Sequence, residues 1–234
     1  MRKISGLNAV DVFPAAIILA VSLTVTPNIS VDPVGMPKLF LLTLFSFGYF
    51  LYLISKHKSY QANYISMHFS LSILYIFLLA TNIILSKSPI TQLLFGVSGS
   101  NLGFITLLFF TVVFLGISTY STRKFLTHFK ISFFTVLLIN IIYSLLQDLK
   151  LDPVNWVYGA SPLIGTLGNP ENVSLLLGIG IATLASYLIS SSTNSKIRIA
   201  IIFVIFLAGY EIIRTGSAQG VIISILAIVL NLFL

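Results

Sequence analysis

Apolar runs long enough to cross a bilayer recur along the whole chain, parted only by short polar connections. About 20 apolar residues span the hydrocarbon core as a helix, and lipid offers the backbone no partner outside such a helix. Eight stretches approach that length: about 10–25, 39–54, 64–85, 102–120, 131–147, 171–189, 197–213, and 217 to the end. Composition agrees. The chain is 57% hydrophobic and 8% charged, whereas a soluble domain carries about a quarter charged residues. The expectation is an all-α, polytopic transmembrane helix bundle of about eight spans, forming a single transmembrane domain over 1–234. The basic start and first apolar run resemble a signal peptide. No small-x-small cleavage site with a soluble domain behind it follows, so this run reads as a retained span.

The formal charge is +7, and it belongs to membrane orientation rather than to nucleic acid. With the N-terminus placed in the cytoplasm, the inner segments hold Arg2, Lys3, Lys56, Lys58, Arg123, Lys124, Lys130, Lys196 and Arg198. The outer segments hold Lys38, Lys87, Lys150 and Arg214. That is the bias expected of cytoplasmic loops. Asp32, Asp148, Asp152, Glu171 and Glu211 fall outside, and Trp156 and Tyr158 suit the outer interfacial belt. His57, His68 and His128 fall at or near the inner face. An outer site built from this chain must therefore use Arg, Lys, carboxylates, amides and backbone groups. There is no cysteine, which excludes disulfides and thiolate metal sites. No Walker loop, dinucleotide fingerprint or HExxH stretch is present.

Four stretches invite a functional reading. The first is GTLGNPEN, within a Gly-rich loop that enters the sixth apolar run. Asn169 is placed to cap that helix, Pro170 suits its first turn, and Glu171 sits where the helix dipole favours an anion. Gly168 and its neighbours let backbone N–H groups approach a phosphate. The same residues also describe an ordinary capped helix start. The second is YEIIRTGSAQG, with Gln219 near its end. Glu211 and Arg214 are i, i+3 neighbours expected to pair, and a guanidinium fork suits phosphate. Snorkelling and mutual neutralisation account for the same two residues. The third is DPVGMPK, where Lys38 either attracts an anionic lipid headgroup or only anchors a helix end. The fourth is FGVSGSNLGFIT, where Gly99 and Gly103 form a small-xxx-small pair that reads as close helix packing.

Taken in order, LSKSPITQLLFGVSGSNLGFITLL, GTLGNPENVSLLLGIG and RTGSAQGVIISILAIVL resemble the O-antigen ligase and polymerase family of bacterial membrane proteins. DPVGMPKLFLL is similar to that family's early segment. The resemblance implies a glycosyltransferase-C-like enzyme of the bacterial cytoplasmic membrane. It would move a glycan from an undecaprenyl diphosphate carrier, on the outer face, to a glycan, lipid or protein acceptor. No metal, nucleotide sugar or other cofactor is implied, and membrane lipids are the remaining partners. The substrate-binding set is Arg214, Glu211, Asn169, Glu171, Gly168, Lys38 and Gln219. Ser100 and Ala218 stand where the family often has arginine. Family chains are longer, so this chain reads as the N-terminal part, with the family's catalytic base expected beyond Leu234. A transporter or flippase for a lipid-linked or anionic substrate, and a non-catalytic membrane subunit, stand as alternatives.

Overall fold

The computed structural model describes residues 9–27, 32–56, 67–97, 101–154, 156, 163–190 and 194–233. Arg2, Lys3, His57, Lys58, Gly99, Ser100 and Tyr158 lie outside the described residues. All regular structure among the described residues is helical. In chain order the helices are α1 (Ala9–Leu23), α2 (Gly35–Lys56), α3 (Met67–Leu85), α4 (Ile90–Phe95), α5 (Phe104–Tyr120), α6 (Arg123–Asp148), α7 (Pro170–Ser190), α8 (Ser195–Thr215) and α9 (Ala218–Phe233). Segments within α2, α3, α6 and α7 are long and apolar enough to cross a membrane, whereas α1, α5 and α9 are shorter apolar helices. α8 is as long as α7 but carries Lys196, Arg198, Glu211 and Arg214. Large apolar side chains such as Phe40, Phe77 and Ile84 point outward. So much exposed apolar surface suits lipid and not water, and the chain is a membrane protein by its helices.

The chain divides into two compact units, Met1–Phe133 and Phe134–Leu234. In the first, α1 packs on α2 and α5, α2 on α5, and α3 on α5. Pro14 lies inside α1 and has no N–H for the carbonyl one turn back. That carbonyl belongs to Val10, and the Tyr49 hydroxyl of α2 donates to it at 3.4 Å. Tyr49 is fully buried. Its ring fits because Gly116 of α5 has no side chain; a Cβ there would stand 2.6 Å from the Tyr49 hydroxyl oxygen. At the same end of α1, buried Asp11 accepts from Thr122 N at 2.8 Å and Thr122 Oγ at 2.6 Å. A carboxylate thus holds the turn that starts α6.

In the second unit, α7 packs against α8 and α9. Leu137 and Ile141 of α6, Val173, Leu177 and Ile181 of α7, and Ala208 and Ile212 of α8 form its core. Between apolar helices in lipid, close backbone approach replaces the hydrophobic drive. Ser174 and Gly178 of α7 supply that approach against Gly220 of α9, where a Cβ on Gly178 would meet the Gly220 carbonyl oxygen at 2.7 Å. Gly103, just before α5, abuts the backbone of Leu94 in α4 and of Gly96 beyond it, while its partner Gly99 lies outside the described residues.

Gly116→Ala should lower stability by about 1–3 kcal/mol, the usual cost of overpacking, read as a lower midpoint of thermal unfolding in detergent. Adding Tyr49→Phe should not rescue it, because the ring carbon Cε1 that such a Cβ would meet first stays and the bond to Val10 O is lost. An unchanged midpoint for Gly116→Ala means that Tyr49 is not seated against α5.

Candidate functional site

Asn140, Tyr143, Ser144 and Gln147 recur at i, i+3, i+4 and i+7, so they share one face of α6. Asn140, Ser144 and Gln147 are buried. The loop ahead of α7 folds onto this face. Ile164 N and Gly165 N both donate to Gln147 Oε1, at 3.1 and 2.9 Å. Thr166 donates to Asn140 Oδ1 from its N and its Oγ, each at 3.0 Å. Gly165 has φ +53°, a region glycine tolerates best. A Cβ there would lie 2.7 Å from both Asn140 Oδ1 and Val173 Cγ2.

A second layer orients these amides. Gln147 Nε2 donates to Asp152 Oδ2 at 3.0 Å, and Tyr143 donates to Asp152 Oδ1 at 3.0 Å. Val154 N closes a turn on Asp152 Oδ1 at 2.8 Å. The Trp156 indole donates to Asp152 Oδ2 and to the Tyr143 hydroxyl, both at 3.1 Å. An ionised carboxylate only accepts. Asp152 therefore draws the Gln147 amino group to itself and leaves Oε1 for the loop.

The rim of the same end carries the charges. Arg214 donates through Nε at 2.9 Å and through Nη2 at 2.5 Å to Asp148 Oδ1, at the end of α6. Tyr210 donates to Asp148 Oδ2 at 2.7 Å. The Arg214 side chain is 50% exposed and that of Asp148 7%, so one fork of the guanidinium is held and the rest faces outward. Asn169 Oδ1 accepts from Glu171 N at 2.8 Å and caps α7, with Pro170 in its first turn, as the sequence predicts. Ser174 Oγ donates to Ser217 O at 3.2 Å and accepts from Gly220 N at 3.0 Å. These bonds place the first turn of α7 beside the turn joining α8 to α9. Asn169, Glu171, Arg214 and Gln219 are all exposed at this end.

Comparison with models of known families, with curated proteins and with solved structures finds no match.

The geometry corrects two expectations. The loop N–H groups are not a free cluster. Those of Ile164, Gly165 and Thr166 go to α6 side chains, and that of Gly168 goes to Ile164 O at 2.8 Å. Glu171 N is used by the cap. Buried donors must find acceptors, and the nearest ones are amides of this chain. Second, Arg214 pairs with Asp148 and not with Glu211. Tyr210 and Arg214, four residues apart, lie on one stripe of α8, while Glu211 lies on the buried stripe with Ala208, Ile212 and Thr215. Glu211 is fully buried, and neither of its carboxylate oxygens has a hydrogen-bond partner among the described residues. Lys38 belongs to the first unit, where its ammonium donates to Ser22 O at 3.4 Å and ties α2 to the last turn of α1, in keeping with the helix-anchoring alternative. Beside it, Asp32 accepts from Gly35 N and from the Asn101 amide, both at 2.6 Å. That joins the DPVG stretch to the loop before α5. No group of three or more metal-ligating side chains gathers among the described residues.

Sequence reasoning missed Asn140, Tyr143, Gln147, Asp148 and Asp152. A signal existed for those in α6, though not for Asp152, which lies past its end. Polar residues repeating at helical spacing inside an apolar run face protein or a cavity rather than lipid.

Gln147→Leu removes the acceptor for two buried N–H groups, at about 1–3 kcal/mol each. We expect faster hydrogen exchange at Ile164 and Gly165 and a lower unfolding midpoint. Unchanged exchange at both amides would contradict the arrangement.

Proposed function

We propose that this chain handles a lipid-linked glycan diphosphate at the outer end of its second unit. In this reading it belongs to a transferase of the O-antigen ligase or polymerase type in the bacterial cytoplasmic membrane. It crosses the membrane about eight times, in a glycosyltransferase-C-like arrangement, with a cytoplasmic N-terminus. The observation that carries the reading is the gathering of exposed Arg214, Asn169, Glu171 and Gln219 at one end, with Arg214 anchored on one side only.

The reaction in this reading is a displacement at the sugar. An acceptor hydroxyl oxygen attacks the anomeric carbon as the bond from that carbon to the diphosphate breaks. The hydroxyl proton passes to a base, and the lipid diphosphate leaves with the electron pair. A fixed cation placed where that charge develops lowers the barrier. Arg214 is that cation; Asp148, itself held by the Tyr210 hydroxyl, holds its fork, leaving its remaining N–H groups for phosphate oxygens. Asn169 and Gln219 supply neutral polar contacts to sugar or phosphate. The loop backbone has a different task, which is to keep this end rigid.

Arg214→Ala should weaken binding of undecaprenyl diphosphate in mixed micelles by more than about tenfold, the scale of a lost charge-assisted pair, and abolish glycan transfer without loss of membrane insertion. Arg214→Lys should recover only part. Wild-type affinity in Arg214→Ala would remove Arg214 from the site.

One observation favours a second reading, transport of an anionic or lipid-linked substrate. Glu211 is a buried carboxyl group with no hydrogen-bond partner among the described residues, and ionisable groups inside spans mark ion and proton paths. A proton-coupled transporter predicts that Glu211→Gln stops pH-gradient-driven uptake into vesicles. Under the transferase reading, the wild-type protein shows no such uptake.

A further inference from the structure

At the opposite end of α8, the second unit carries an open groove of about 350 Å³. Phe134, Leu137 and Leu138 of α6 line one wall, and Ile197, Ala200 and Val204 of α8 the other. The single charged residue in its lining is Lys196. The Asn194 side chain accepts from Lys196 N at 3.0 Å and starts α8 there, which fixes where the lysine leaves the helix. Arg198, two residues on, is occupied differently: its guanidinium donates to Leu188 O at 3.5 Å, at the end of α7. The Lys196 ammonium has no acceptor and no acid partner among the described residues, where the ion pair found is Asp148–Arg214.

We infer that this groove seats one acyl chain of an anionic phospholipid, with the headgroup phosphate against Lys196. The walls are apolar and open to the side, as a hydrocarbon chain in a bilayer requires. The cation, Lys196, lies two residues before Arg198 in sequence, and no carboxylate pairs with it among the described residues. That charge pattern matches a net negative headgroup and gives a zwitterionic one little advantage. A lysine near an anionic membrane surface favours it about fivefold. The inference needs only that the chain sits in a bilayer. It does not depend on glycan transfer, and Lys196 is remote from Arg214 along α8.

The test uses the full chain in phosphatidylcholine vesicles doped with a photoreactive-acyl lipid, either phosphatidylglycerol or phosphatidylcholine, with labelled peptides mapped by mass spectrometry. The phosphatidylglycerol probe should label the groove walls of α6 and α8 about fivefold more than the phosphatidylcholine probe. Lys196→Gln should bring the ratio near one, and Lys196→Arg should keep it. Ala200→Trp fills the groove and should cut labelling there by both probes. Labelling of the outward faces of α2 and α3 reports that each variant is folded and inserted. Equal labelling of the wild-type groove by both headgroups would mean that Lys196 only snorkels to the interface and would overturn the inference. So would an unchanged preference in Lys196→Gln.

Discussion

Two side-chain amides hold the second unit's loop in place. Backbone N–H groups buried among apolar helices must each find an acceptor, because water is absent. Gln147 Oε1 serves two of them and Asn140 Oδ1 a third. Asp152 fixes which way the Gln147 amide points, since a carboxylate admits only the amino end. Gly165 completes the fit by keeping a side chain out of the space that Asn140 and Val173 fill. The first turn of α7 then stands where Ser174 meets Ser217 and Gly220, and the exposed polar residues of three helices come to one end. The charge-bearing rim therefore rests on a hydrogen-bonded layer whose loop donors are taken by side chains of α6.

The first unit solves the same problem with different groups. Pro14 leaves a helical carbonyl without its N–H, and the Tyr49 hydroxyl replaces it. Asp11 receives the Thr122 amide and hydroxyl, and Asp32 receives Gly35 N and the Asn101 amide. Both acids join segments far apart in the chain. In a medium with no competing water such bonds are costly to lose, so these few polar residues set how α1, α2 and α5 meet. The acids of this unit are structural fasteners by their contacts, and Lys38 tethers α2 to α1 in the same way.

Local features of the candidate site were legible in the sequence. Asn169 before Pro170 marked the start of α7, because a cap and a proline act within one turn and need no distant partner. The partner of Arg214 was not legible. Its spacing to Glu211 permits a pair, but Asp148 lies 66 residues away in sequence. Packing turns Glu211 inward and leaves Arg214 half exposed. Nor did a Gly-rich composition reveal that the loop amides were already taken, since their acceptors belong to α6. The crossing at Ser174, Gly178 and Gly220 was hidden for a similar reason: small residues are frequent in apolar runs, and only the packing selects which of them touch.

What the residue order determined by itself was the helical class, the apolar runs and the Asn169 cap, because hydropathy and capping act over one element at a time. What only the tertiary structure decided was pairing: Arg214 with Asp148, the loop with Asn140 and Gln147, α7 with α9. The physical reason is range. A helix satisfies its own backbone within four residues, whereas a buried side chain or loop amide takes whichever acceptor packing brings within about 3 Å, and no local pattern records which one that is.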